Sequence, residues 1–213
     1  MFKIYRELEK GEFILIGGDC SQGGADYNAC AFMSKTKHDF PVIYHHRGVA
    51  AQMTSDVFPV LEKIYDQTGI PPVVAFERNM GGASEMERLN VMNRYAKYKL
   101  FVMPSIGMVE SSESNQLGYS TNASTRPILL GDFKRAIDGR SIKLYDKDTV
   151  NELYSFIVGK QGKPQAESNA HDDLIFSHAI AFQLYQQCET PVSDVEFGSE
   201  FPNDLLFNDK GLY

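Results

Sequence analysis

FILIGGDCSQGGADYNACAFMS, residues 13–34, decides how this chain folds. Residues 13–18 are a continuous apolar run ending in two glycines, and residues 27–34 are a second apolar run. The tight segment Ser21-Gln22-Gly23-Gly24 between them supplies the freedom that a chain reversal needs. The two runs read as neighbouring buried strands, and a third strand over 42–47 extends them into an antiparallel meander. Asp19 closes the first run. Alone, an acid in a Gly-rich connection reads as a turn residue.

Working outward, Thr54 or Ser55 is placed to cap a helix running to about residue 67, with Val57, Val60, Leu61, Ile64 and Tyr65 on one face and Gly69 as its stop. Pro71-Pro72 forces an extended entry into a strand over 73–77. A strand-helix-strand crossover makes that strand parallel to the first. It ends in Glu77, whose charge is costly in a buried strand unless it has a partner. Further on, the pattern predicts a helix over 82–95, a short strand over 100–103, and a Ser- and Gly-rich loop or hairpin over 104–122. A helix over 126–137 follows, capped by Ser124 or Thr125. Another over 148–156 carries Val150, Leu153, Tyr154 and Ile157 inward. Residues 159–164 read as a hairpin tip. From Asp172 to Gln187 the chain is apolar on almost every side, as a buried helix requires.

Three acid sites therefore fall at two strand ends and one helix start, separated by 58 and 96 residues. Brought together, Asp19, Glu77, Asp172 and Asp173 would repel one another unless cations sat between them. An all-oxygen ligand set points to Mg²⁺ or Mn²⁺, since zinc sites recruit Cys or His. Two such ions are the usual apparatus for phosphodiester cleavage. Asp173 is favoured as the direct ligand, with Asp172 serving a second ion or the outer shell. The bland reading of this pair is a helix cap that complements the dipole. His171 is placed to assist a leaving oxygen, and Asp26 either reaches the cluster or caps its turn. Asn79, Gly81 and Gly82 either shape the turn after Glu77 or let a nucleic-acid backbone approach closely.

The chain has 213 residues and 43% hydrophobic content, enough for one α/β domain, assigned to residues 1–188. The net charge of −7 argues against a polyanionic partner only until its distribution is considered. Residues 189–213 hold six acids and one base, an acidic tail that reads as a docking element or a disordered end. Two stretches are locally basic, 78–99 and 126–143, each with five bases against two acids. With the loop at 159–163 they supply the DNA-binding candidates Arg78, Asn79, Arg126, Lys134, Lys160 and Lys163. Their bland reading is a solvated helix face. Three dispersed cysteines indicate neither a disulfide framework nor a zinc site. The sequence carries no signal peptide and no membrane span, so a soluble cytoplasmic protein without a membrane partner is expected.

At these residues the chain resembles the nuclease domain of the large terminase subunit of tailed bacteriophages. The matching pieces are ILIGGDCSQGGADYNA (14–29), VVAFERNMGG (73–82), STRPILLGDFKRAIDGRSIKLYDKDTVNELYSFI (124–157) and AHDDLIFSHAIA (170–181), in family order. The resemblance implies a ribonuclease-H-like fold of the resolvase type, with a mixed central sheet flanked by helices. It implies two-metal cleavage of double-stranded, concatemeric viral DNA during genome packaging in the host cytoplasm, with Asp19, Glu77 and the Asp172-Asp173 pair as ligands. The partners it implies are the terminase ATPase domain, the small terminase subunit and the portal protein. No Gly-x-x-x-x-Gly-Lys-Ser/Thr phosphate loop occurs here, so the chain reads as the nuclease part without the ATPase. The rivals are a Holliday-junction resolvase or transposase-like nuclease of the same fold, and an actin- or sugar-kinase-like ATP-binding domain. The kinase-like reading leaves Glu77 and Asp172-Asp173 less well explained.

Overall fold

The computed structural model describes residues 1–24, 26–104, 116–158, 164–166 and 171–191. The chain opens with β1 (Phe2–Ile4), then β2 (Ile14–Asp19), β3 (Tyr27–Ser34) and β4 (Asp39–Arg47), of which the last three form the expected meander. Helix α1 (Ala50–Thr68) crosses over to β5 (Val73–Phe76), which lies parallel to β2. Helix α2 (Gly82–Met92) leads to β6 (Lys99–Leu100), parallel to β5. Then come α3 (Thr125–Asp138), α4 (Lys147–Ser155), the antiparallel pair β7 (Phe156–Val158) and β8 (Pro164–Ala166), and α5 (Asp173–Gln187). The main sheet has six strands in the order β1-β4-β3-β2-β5-β6, mixed in direction, with helices on both faces.

Alternation along the buried strands sorts their side chains into two cores. Leu15, Ala29, Ala31, Met33, Val73 and Ala75 point to the face covered by α3 and α5. Ile14, Ile16, Cys30, Phe32, Val74 and Phe76 point to the other, where Met53, Val57 and Leu61 of α1 and Met86 and Leu89 of α2 meet them. The α5 face is paved with small residues along its centre, and the reason is contact distance. A Cβ at Gly17 would lie 2.2 Å from the Ser177 carbonyl oxygen and 2.3 Å from the Ala181 amide nitrogen. Helix and strand backbones thus meet with no side chain between them, and only glycine fits.

Several expectations need correction. Helix α1 begins four residues before Thr54, with Val49 at its N-cap and no side-chain cap bond. The Thr54 and Ser55 hydroxyls instead donate back to the carbonyls of Ala50 and Ala51, which makes them interior residues. Neither Ser124 nor Thr125 caps α3 with its side chain; Asn122 Oδ1 accepts both of their amides, at 2.8 and 3.0 Å. Tyr154 is 84% exposed rather than inward, since α4 packs against α5 and β7 instead of the main sheet. Helix α2 stops at Met92, short of residue 95. The stretch expected as a loop or hairpin over 104–122 lies outside the described residues at 105–115, and its return agrees with the hairpin: Leu117 and Gly118 bridge Val102, and Tyr119 bridges Glu77. The hairpin expected near 159–164 exists as the β7–β8 pairing, with its tip at 159–163, like the tail from 192 onward, outside the described residues.

Candidate active site

The sheet register decides where the acids go. Gly18 is paired with Phe76 in the parallel β2–β5 ladder, and the Glu77 amide donates to the Gly18 carbonyl at 2.7 Å, so Asp19 and Glu77 stand side by side at the strand ends. Both share the parity of Leu15 and Val73 and therefore rise from the α5 face. On α5, Asp173 lies on the same stripe as Ser177 and Ala181, the residues that sit against Gly17, so its helix turn ends over Asp19. Periodicity of apolar residues could not order Asp172 and Asp173; both line the pocket, and Asp173 is the more buried, with side chains 33% and 16% exposed respectively.

Together these residues line a pocket of about 500 Å³ with Asp26, Arg126 and His171. Asp19 and Glu77 are each only 9% exposed. Burial, then the charges of Glu77, Asp173 and Asp172, hold Asp19 well above the usual carboxylate range. Burial likewise pushes Asp173 up to about 6, with Asp172 and Asp26 adding to the rise and His171 opposing it. Asp172 is raised by burial against the opposing charge of Arg126, whose guanidinium is 3.5 Å from its carboxylate and stacks 4.4 Å from the Phe176 ring centre. His171 Nδ1 lies 3.6 Å from Asp173 Oδ2, and its ring meets Tyr27 edge-on at 5.1 Å.

The backbone around the acids is tightly tied. Asn79 donates its amide to Glu77 Oε1 at 3.0 Å and to the Thr121 carbonyl at 3.3 Å, which sets the Glu77 rotamer. A Cβ on Gly82 would fall 1.7 Å from the Glu77 carbonyl oxygen, so α2 starts hard against the strand end. After Asp19, the Ser21 amide donates to Asn28 Oδ1 at 2.8 Å, and Asn28 in turn donates to the Gly48 carbonyl at 2.7 Å. Cys20 and Cys30 are buried thiols whose pKa values burial pushes up, so they are not nucleophiles.

Not every expected residue is in the pocket. Arg78 reaches away to the Leu117 carbonyl at 2.7 Å, and Lys134 pairs with Asp138 on the outer face of α3. Lys160 and Lys163 lie outside the described residues. One residue was missed altogether. Glu152 of α4 accepts the amides of Leu174 and Ile175 at 3.0 and 3.2 Å, beneath the acid pair. Burial pushes it up to about 8; the two amide hydrogen bonds oppose this, and the charges of Asp173 and Asp172 add to it.

Whether the set suits a metal can be judged from its donors. The groups are oxygen ligands, Asp173 Oδ2 is buried with no hydrogen-bond partner, and Asp19 and Glu77 are two buried acids at adjacent strand ends. Among the described residues, no three such side chains converge tightly enough in this conformation to enclose an ion. The donor chemistry fits Mg²⁺ or Mn²⁺. Enclosing an ion requires side-chain rotation that brings these carboxylates closer together.

A mixed sheet with an acid at the ends of two adjacent strands and a third acid site at a helix start is the ribonuclease-H-like arrangement. Comparison with solved structures gives the same fold. The large terminase nuclease of thermophilic phage G20c matches with bound cobalt (18% identity, TM-score 0.61) and with bound magnesium (17%, 0.61), each over 87% of both chains. The human cytomegalovirus terminase nuclease domain, soaked with manganese, matches at 13% identity and TM-score 0.57 over 82% of this chain and 84% of that one. No protein-family model matches the sequence, and no curated protein matches it. Among the described residues no helix is long and apolar enough to cross a membrane.

Proposed function

We propose that the chain is a divalent-metal-dependent endonuclease that cuts double-stranded viral DNA during genome packaging. The observation that carries this reading is the convergence of Asp19, Glu77, Asp172 and Asp173 on one pocket from two parallel strand ends and a helix start. The fold shared with terminase nucleases, some of them metal-bound, supports it. Bound there, two Mg²⁺ or Mn²⁺ ions supply charge that polarises the phosphodiester and lowers the pKa of an attacking water. Asp19 and Glu77 would hold the ions from the sheet and Asp173 from the helix, with Asp172 on the side of Arg126. Asn79 keeps Glu77 in register, and Arg126 faces the phosphate backbone. His171 is placed beside Asp173 to pass a proton to the departing 3′ oxygen. From the resemblance to terminase sequences, an ATPase domain, a small subunit and a portal are the proposed partners.

The test is digestion of supercoiled plasmid by the whole chain with Mn²⁺, with Mg²⁺, and with chelator. Cutting with either ion and none in chelator is expected; undiminished cutting in chelator would sink the reading. Linear and four-way-junction substrates in parallel separate it from a resolvase.

A further inference from the structure

The start of α5 has an unusual support. The first amides of a helix have no partners within it, and an Asp at the N-cap ordinarily accepts one of them. Asp172 occupies that position, yet its side chain makes no cap bond. The amides of Leu174 and Ile175 go instead to Oε2 of Glu152, from a different helix 22 and 23 residues earlier. Asp172 is thereby released from capping and turns to the pocket and Arg126. Glu152 is itself well anchored. Its helix is capped by Asp146, whose Oδ2 accepts both the amide and the hydroxyl of Thr149 at 2.9 Å. Asp146 in turn is held by Lys3 at 2.8 Å and Tyr5 at 2.5 Å.

We infer that Glu152 is a positioning residue of this site: from α4 it caps α5 and so fixes where Asp172 and Asp173 stand against Asp19 and Glu77. The inference rests on the metal-site reading above. It assigns Glu152 no contact with ion or DNA; what it supplies is an oxygen acceptor at one place. A glutamine keeps such an oxygen at the same reach, an aspartate is one methylene too short, and an alanine has none.

The experiment uses the full chain without DNA and reads two quantities: amide hydrogen exchange at Leu174 and Ile175, and Mn²⁺ binding by electron paramagnetic resonance. Glu152→Ala should speed exchange at both amides and weaken Mn²⁺ binding roughly tenfold or more, the usual effect of losing an outer partner of a metal ligand. Glu152→Gln should keep both near the unaltered level. If the alanine variant does not fold, Glu152→Asp takes its place, with the same loss expected. Mn²⁺ affinity unchanged while exchange quickens would overturn the positioning role. A glutamine variant as weak as alanine would also overturn it, since the carboxylate would then be acting as a ligand. Asp19→Asn is the control. If it weakens Mn²⁺ binding while the Glu152 variants do not, only the Glu152 inference fails. If the unaltered chain binds no Mn²⁺, the metal-site reading fails and takes the inference with it.

Discussion

Asp19 and Glu77 end neighbouring parallel strands, tied by the 2.7 Å bond from the Glu77 amide to the Gly18 carbonyl, so two buried acids stand side by side. Burial and the charge of Glu77 hold the Asp19 carboxyl well above the usual carboxylate range. The same crowding that would make the site bind cations makes it a source of strain without them.

Relieving that crowding should separate activity from stability. Asp19→Asn or Glu77→Gln should each lower cleavage on the order of 10³-fold or more, since several kcal/mol of transition-state charge stabilisation is lost. At pH 8 without metal, Asp19→Asn should melt about 2–4 °C higher, corresponding to about 1 kcal/mol of repulsion removed. A plasmid-nicking assay and a thermal melt check the two arms. A large fall in melting temperature would show these acids to be structural.

The pH dependence of the metal-free fold follows from two groups of acids with opposite signs and from two buried histidines. Burial raises Asp19, Asp172, Asp173 (to about 6) and Glu152 (to about 8). A raised carboxyl contributes stability that is present below its unfolded value of about 4 and is lost as pH rises through its folded value. Burial also acts on Glu12, Asp39 and Asp146, but hydrogen bonds from Arg6 to the first two and from Lys3 to the third overcome it and lower all three. Their contribution is present above about pH 4 and lost below it. Burial also pushes His45 and His178 down to about 4, so their contribution is present above about pH 6.5 and lost below it, against the raised acids. Of these groups only the raised acids change above about pH 6.5, so melting temperature without metal should fall from about pH 6.5 to 8 and recover at pH 8 when Mn²⁺ is added. A steady rise from about pH 6.5 to 8 in chelator would contradict the assignment.

Much of this site was legible because strands report their direction. Asp19 and Glu77 each follow a short apolar run, and two parallel neighbours with matched ends leave little choice about where those side chains go. Asp172-Asp173 was visible as a helix start, but its inward member was not, since an all-apolar helix has no face to read. Both line the pocket, and Asp173, on the stripe of Ser177 and Ala181 that meets Gly17, is the more buried. Glu152 left no trace at all. It sits in KDTVNELYS, where an acid on a half-exposed helix looks like a solvent-facing charge, and its partners are backbone amides that any sequence carries. The same reason hid Asn122, whose oxygen accepts amides that a Ser or Thr was expected to serve.

Gly17 can be tested directly. Its missing Cβ leaves room for the backbone of Ser177 and Ala181, and backbone cannot swing aside as a side-chain tip does. Gly17→Ala should cost about 3 kcal/mol, or about 6–12 °C in melting temperature. Because α5 must lift from β2, Mn²⁺ binding measured well below the melt should weaken as well. Normal stability with normal binding would mean that the helix and strand are not in contact.

Arg126 supplies the last prediction, and it has two arms of opposite sign. The guanidinium stacks on Phe176 and stands 3.5 Å from the Asp172 carboxylate, with both side chains about one-third exposed. Near the pocket it competes with any cation for the acids, yet it is also placed to meet a DNA phosphate. Removing it should leave the site more negative, so Arg126→Ala should bind Mn²⁺ about two- to fivefold more tightly without DNA, the scale of a solvent-screened pair. The same variant should bind DNA more weakly at low salt, with the log-log salt slope shallower by about 1, the mark of one lost phosphate contact. Arg126→Lys should recover little of the DNA affinity, because an ammonium neither stacks on Phe176 nor presents a planar fork. Calorimetry with Mn²⁺ and DNA-binding isotherms at two salt concentrations read both arms. Weaker Mn²⁺ binding would show that Arg126 serves to hold Asp172 in place, and an unchanged salt slope would take the phosphate away from it.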